Sequence, residues 1–331
     1  MVELYGHRAA SSKLVSGVFG QMKTVNGQRK ETNDQQRLIQ LAGWTLAVAL
    51  AGMLVWRLRE PLYQGKPVSA WIEELGDNSY AAARALQEIG PGAISPLTRA
   101  LERKPLGWLN ACAAVLSHSP RFLRPKLAAY YAAITRRGSQ IPRLRIAAAQ
   151  VLGDFGPVAG KATPALVEAL SDANATLRLN AAFALGKIGA KPELAVPALA
   201  GRLDDPTEGV RMYAAIALKK FGTQAATAVP ALIAMLKDPG WQVRERAALA
   251  LGAVGQNQAI VVPALEKTLL DEHRFVRASA ALALTSIAPH AKTARAALER
   301  ARYDPDAEVR YSAGLAVSQI DSEADGRTDL K

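Results

Sequence analysis

From residue 144 onward a Val/Leu-Arg pair returns every 33 residues: Leu144-Arg145, Leu177-Arg178, Val210-Arg211, Val243-Arg244, Val276-Arg277 and Val309-Arg310. A fixed period of this size means that one supersecondary unit is copied and stacked, because a single copy cannot bury its own apolar face. Other columns keep the same beat. Leu152, Leu185, Leu218, Leu251 and Leu284 form one; Gly156, Gly189, Gly222 and Gly255 another; Pro164, Pro197, Pro230 and Pro263 a third. The Gly column ends a first helix, where a left-handed residue closes the last turn. The Pro column falls near the start of a second helix, where a missing N–H costs little. Ala148, Ala181, Ala214, Ala247, Ala280 and Ala313 keep one face small, so that neighbouring helices approach closely. The unit reads as helix, turn, helix, turn. The predicted fold class is all-α: a solenoid of about seven stacked helical hairpins.

An acidic column precedes the arginines by six residues. Asp172, Asp205, Asp238 and Asp271 stand before Arg178, Arg211, Arg244 and Arg277, and Asp304 before Arg310. Asp in an inter-repeat turn caps the helix that follows, and an Arg fork suits a carboxylate. The column is read as a structural ladder that sets the stacking register. The competing reading is a charged binding stripe.

The stretch "LSDANATLRLNAAFALGKIGAKPELAVPAL" resembles a HEAT-like repeat of the kind first named in phycobilisome lyases. The resemblance covers residues 78–320. It implies an α-solenoid of stacked HEAT-like hairpins and says little of activity, since such repeats serve many unrelated proteins.

Between Arg37 and Arg57 the residues Leu38 to Trp56 carry no charge. A helix of that length spans about the ~30 Å hydrocarbon core of a bilayer. Trp44, Trp56 and Tyr63 suit membrane interfaces. The expected organisation is a polar, disordered tail over 1–37, a transmembrane helix over 38–58, a juxtamembrane linker and first helix over 59–77, the repeats over 78–320, and a disordered tail over 321–331. A chain starting at Met22 instead of Met1 keeps the span intact. The residues Tyr63, Gly65, Lys66, Pro67, Ser69 and Trp71 resemble a juxtamembrane segment of membrane-anchored bacterial HEAT-repeat proteins. Gly65 and Pro67 break any continuation of the membrane helix. Ser69 is the expected cap of a new helix. The expected location is a single-pass membrane protein with its solenoid outside the cytoplasm.

The chain has 41 Lys and Arg against 29 Asp and Glu, a net charge of +12. The excess in the repeats sits between residues 99 and 145, where Glu102 is the only acid. There the repeat is also irregular, and an insertion is expected as a loop on one face. Arg121, Arg124, Lys126, Arg136 and Arg137 form a candidate anion- or partner-binding patch. Its ligands would be an acidic protein, anionic lipid headgroups near the anchor, or nucleic acid. A solvated basic face is the plain alternative.

Catalytic ingredients are thin. His7, His118, His273 and His290 belong to no zinc or triad spacing. Cys112 is a lone cysteine in an Ala-rich helical run, read as small core filling. HEAT-like repeats also occur in a di-iron hydroxylase built on several His-Glu dyads, whereas this chain has one reversed pair, Glu272-His273. Resemblance to HEAT-like DNA glycosylases rests on aromatics such as Trp108 and Trp241 with no shared motif. No cofactor, metal or catalytic residue is therefore expected. The leading reading is a non-enzymatic, membrane-anchored scaffold that binds a protein partner, acidic in character, along the solenoid surface. A nucleic-acid-binding module or base-acting enzyme is the alternative, and a bilin-lyase-like enzyme a distant third.

Overall fold

The structure is a computed structural model. It describes residues 62–77, 79–104 and 124–324, with the backbone alone at 124–131, 133–137 and 323–324. The chain divides into two compact units, residues 1–68 and 69–331. The described part of the first is a small hairpin in which Leu62–Tyr63 (β1) runs antiparallel to Lys66–Pro67 (β2). Gln64 and Gly65 make the turn with φ of 51° and 74°. Two left-handed residues are what a two-residue turn between strands requires. The segment expected to span a membrane lies outside the described residues. Among the described residues no helix is long and apolar enough to cross one.

The described elements of the second unit are all helices. Its elements are α1 (Val68–Leu75), α2 (Tyr80–Ile89), α3 (Ile94–Leu101), α4 (Arg124–Asp154), α5 (Thr163–Ala169), α6 (Ala175–Ile188) and α7 (Pro192–Ala200). There follow α8 (Glu208–Phe221), α9 (Val229–Met235), α10 (Trp241–Val254), α11 (Gln258–Thr268), α12 (Arg274–Ser286), α13 (Arg295–Ala301) and α14 (Ala307–Ala324). Helix α1 begins before Ser69, so Ser69 is not its cap; Ser79 caps α2 instead, accepting from the Ala82 amide at 3.1 Å.

Long first helices (the end of α4, then α6, α8, α10, α12 and α14) alternate with short second helices. The long ones pack extensively against one another in sequence order, the short ones far less. The reason is written in their side chains. Ala148, Ala181, Ala214, Ala247, Ala280 and Ala313 are completely buried between them, as are Leu152, Leu185, Leu218, Leu251 and Leu284. Close approach is tightest at glycines. A Cβ on Gly186 would stand 2.8 Å from Ala217 Cα, and one on Gly252 2.6 Å from Ala283 Cα. Real Cβ atoms do not tolerate such distances, so these helices touch backbone to backbone.

The same loop length supports two connections. After Gly156 and Gly222 the chain enters 3-10 turns, and Pro164 and Pro230 stand at the start of the second helix as the spacing predicts. After Gly189 and Gly255, both at φ 61°, a non-glycine residue turns left-handed: Lys191 at 52° and Asn257 at 55°. That extra turn lets the second helix begin earlier, and Pro197 and Pro263 fall inside α7 and α11. Both prolines are on the exposed side, where water can satisfy the carbonyl they leave unbonded.

The irregular early repeat differs from expectation. From Arg124 onward the expected loop is one continuous 31-residue helix, α4, with Pro142 inside it. At the other end α14 continues to Ala324, so residues 321–324 of the expected tail are helical.

Candidate partner-binding surface

What holds each first helix in place is the Arg–Asp ladder. Arg178 donates from Nε and Nη2 to the two carboxylate oxygens of Asp205 at 2.8 and 2.7 Å. Its Nη1 reaches the carbonyls of Asp172 and Ala173 at 3.0 and 3.1 Å. The pattern repeats. Arg211 forks onto Asp238 at 2.7 and 3.0 Å, Arg244 onto Asp271 at 2.8 and 2.9 Å, and Arg277 onto Asp304 at 2.8 and 2.9 Å. Each carboxylate also accepts the amide two residues on, as Asp205 does from Thr207 at 2.9 Å. Every Arg therefore ties its own turn, through the carbonyl of the Asp six residues back, to the next turn, through the carboxylate 27 residues ahead. Arg145 starts the series, donating to Asp172 at 2.6 Å and to the Leu101 carbonyl at 2.7 Å. Arg310 ends it on the carbonyls of Asp304 and Pro305.

The electrostatics follow. Burial works to raise the carboxyls of Asp205 and Asp304. The hydrogen bonds and charge of Arg178 and Arg277, with the amides of Thr207 and Asp306, outweigh it and hold both below the usual carboxylate range. Asp172 shows the same balance, with the Asn174 amide and Arg145 opposing burial. All of this charge is consumed inside the joints, so the ladder holds the stack together and offers little to a ligand.

With that register fixed, the outward side of the long helices carries a second periodic column, one that the sequence patterns above did not single out. Phe183, Ile216, Leu249, Leu282 and Leu315 occupy equivalent positions 33 residues apart. Phe183, Leu282 and Leu315 are 36%, 38% and 40% exposed, and Ile216 and Leu249 are half-buried. Phe183 meets Tyr213 of the next first helix edge to face, with ring centroids 5.6 Å apart. Lys187 lies 5.3 Å from the Phe183 ring centroid and pairs with Asp154 at 2.7 Å. The signal was available in the sequence: a large apolar residue kept in phase, on the helix side away from the small alanines.

Between α8 and α10 this side opens into a groove of about 450 Å³ lined by Ile216, Lys219, Lys220 and Arg246. At the helix starts Trp241 stacks on His273, with centroids 3.9 Å apart and planes 12° from parallel, and both rings lie 5.5 Å from Phe275. Trp241 is thus half-buried between repeats and already engaged. Glu272 accepts from Arg244 Nη2 at 3.0 Å, so the Glu272-His273 pair belongs to ladder and stack. Among the described residues no group of His, Cys, Asp and Glu is placed to hold a metal ion. Of the candidate basic patch, Arg121 lies outside the described residues, and Arg124, Lys126, Arg136 and Arg137 lie along α4. Trp108, Cys112 and His118 are also outside them.

Stacked helical pairs locked by an Arg–Asp ladder define an α-solenoid repeat protein. Comparison with family profiles matches HEAT repeats at residues 132–219, 196–285 and 229–318, together more than half of the chain. The protein belongs to the HEAT-repeat family. Similar solved structures include an archaeal HEAT-like repeats protein from Thermococcus onnurineus NA1, with 14% identity, TM-score 0.46, and coverage of 80% of this chain and 99% of that one. An engineered protein (23% identity, TM-score 0.46) covers 54% of this chain and 91% of its own. A designed armadillo repeat protein in complex with the peptide (KR)4 (20% identity, TM-score 0.46) covers 55% of this chain and 93% of its own. Comparison with curated proteins gave no match.

Proposed function

We propose that this chain is a membrane-anchored, non-enzymatic HEAT-repeat scaffold, akin to the repeats named for phycobilisome lyases, that binds a protein partner along its solenoid. The observation that carries the reading is the in-phase apolar column Phe183, Ile216, Leu249, Leu282 and Leu315 on the outward side of the long helices. Repeated, preformed apolar contacts on a rigid stack suit a macromolecule that runs along it. The anchor is supported by the uncharged run Leu38 to Trp56, and the solenoid is placed outside the cytoplasm.

Two measurements test this. A photoreactive residue replacing Leu282 or Phe183 in the full chain, irradiated in the membranes of cells that make it, is expected to give a discrete protein adduct. The same residue at Leu194, which is exposed on a second helix, is expected to give none. Adducts equal at all three sites would remove the docking surface. For the anchor, the full chain is expected to stay with membranes through alkaline carbonate, and a chain lacking 38–58 to be released. Release of the full chain would end the anchoring reading.

A further inference from the structure

One joint beside the outward column carries charge. At three joints between first helices the position beside the next helix is glycine: Gly153, Gly186 and Gly252, whose added Cβ would stand 3.0, 2.8 and 2.6 Å from an alanine Cα of that helix. The equivalent residue of α8 is Lys219, with Lys220 next to it. At this joint lies the groove lined by Ile216, Lys219, Lys220 and Arg246. Lys219 and Lys220 are exposed, and neither makes an ion pair among the described residues. Arg246 has only a long 3.7 Å approach to its neighbour Glu245, and its Nε is buried without a hydrogen-bond partner. Three cations with one distant carboxylate thus surround an apolar floor. Elsewhere in the molecule the corresponding charge is cancelled or missing: Lys187 is held by Asp154, and the positions equivalent to Lys220 in α10 and α12 are Ala253 and Ser286.

We infer that the α8–α10 groove is the specificity pocket of the docking surface, and that it takes an acidic segment of a protein partner. An apolar side chain seats on Ile216, and flanking carboxylates reach Lys219, Lys220 and Arg246. This rests on the reading that the outward column docks a protein. Charge complementarity selects an acidic partner. These three cations sit at one joint, whereas a nucleic-acid backbone needs a track of them along several repeats. The apolar floor that Ile216 supplies suits a side chain, which a bare anion does not offer.

The test uses the full chain in detergent micelles and a fluorescent 12-residue peptide of repeated Glu-Glu-Leu. Binding is expected at low salt, weakening as salt screens the charges. The variant K219S/K220S/R246S takes residues found at equivalent helix positions (Ser318, Ser286 and Ser279). It is expected to bind about tenfold or more weakly with an unchanged melting temperature. The reversed variant K219E/K220E is expected to gain binding to the matching Lys-Lys-Leu peptide, a result that a misfolded protein cannot give. Equal peptide binding by wild type and the serine variant overturns the inference. So does a wild type that prefers a single-stranded oligonucleotide or anionic lipid vesicles and loses that preference in the variant. If the photoadduct at Leu282 persists while the peptide test fails, this pocket is wrong and the docking surface stands; if the adduct is also lost from wild type, the parent reading falls.

Discussion

Arg178 and Asp205 are 9% and 3% exposed, and each uses its polar atoms in several directions. Removing one partner leaves a largely buried charge without its forked counter-charge. Asp205→Ala is therefore expected to cost about 3–5 kcal/mol, read by urea denaturation. Arg84 and Glu88 give the contrast. They form an exposed pair one turn apart on α2, 70% and 43% accessible, and Glu88→Gln should change stability by less than about 0.5 kcal/mol. A second residue-scale prediction turns on sign. In an isolated helix Gly→Ala gains about 1 kcal/mol. Gly252→Ala is expected instead to lose about 1–3 kcal/mol, because the new methyl meets Ala283 Cα at 2.6 Å. A more stable variant would mean that the helices can part at no cost, and the backbone contact would not be what fixes their spacing.

At the scale of the helix, Leu282 is the informative position. It is 38% exposed on α12, so Leu282→Ser should leave stability within about 0.5 kcal/mol, while adducts from a photoreactive group at Phe183 should fall as the docking surface weakens. Loss of stability instead would make Leu282 a packing residue. How far such elements could be read beforehand depends on what each pattern encodes. The 33-residue columns announced the long helices, their glycine ends and their buried alanines, because those jobs restrict residue type at one position. The ladder's partners were not legible. Asp172 is six residues from Arg178 in sequence, yet the carboxylate bound by Arg178 is that of Asp205, in the following turn, and only stacking brings the two together. The early start of α7 and α11 was hidden for another reason: it depends on Lys191 and Asn257 turning left-handed, and lysine does not advertise that conformation. The helix replacing a loop after Arg124 was masked by Pro142, which the helix tolerates. The α8–α10 groove escaped notice because Lys219 matters only as a lysine at a position where α4, α6 and α10 have Gly153, Gly186 and Gly252.

Across the whole stack each joint depends on the same chemistry, and that gives the molecule a common point of failure. The carboxyls of Asp172, Asp205 and Asp304 sit below their usual range in the folded chain because guanidinium groups and backbone amides favour the charged form over the opposing effect of burial. A depressed folded value means that the unfolded chain takes up protons first as pH falls. The stability these groups contribute is thus fully present above the unfolded value of about 3.9 and is lost as pH drops through the folded values. The melting temperature should stay level from about pH 8 to pH 5 and fall steeply below about pH 4. Because the joints are in series and nearest-neighbour coupling carries the stack, acid should open them together, whereas Asp205→Ala breaks the chain of contacts at one place. Circular dichroism melts across pH distinguish the two: one acid-shifted transition for the wild type, and for Asp205→Ala two transitions at neutral pH as the repeats on either side lose their coupling. A loss of stability centred between pH 6 and 7 lies outside the carboxylate range and would remove the ladder as the element on which the solenoid depends.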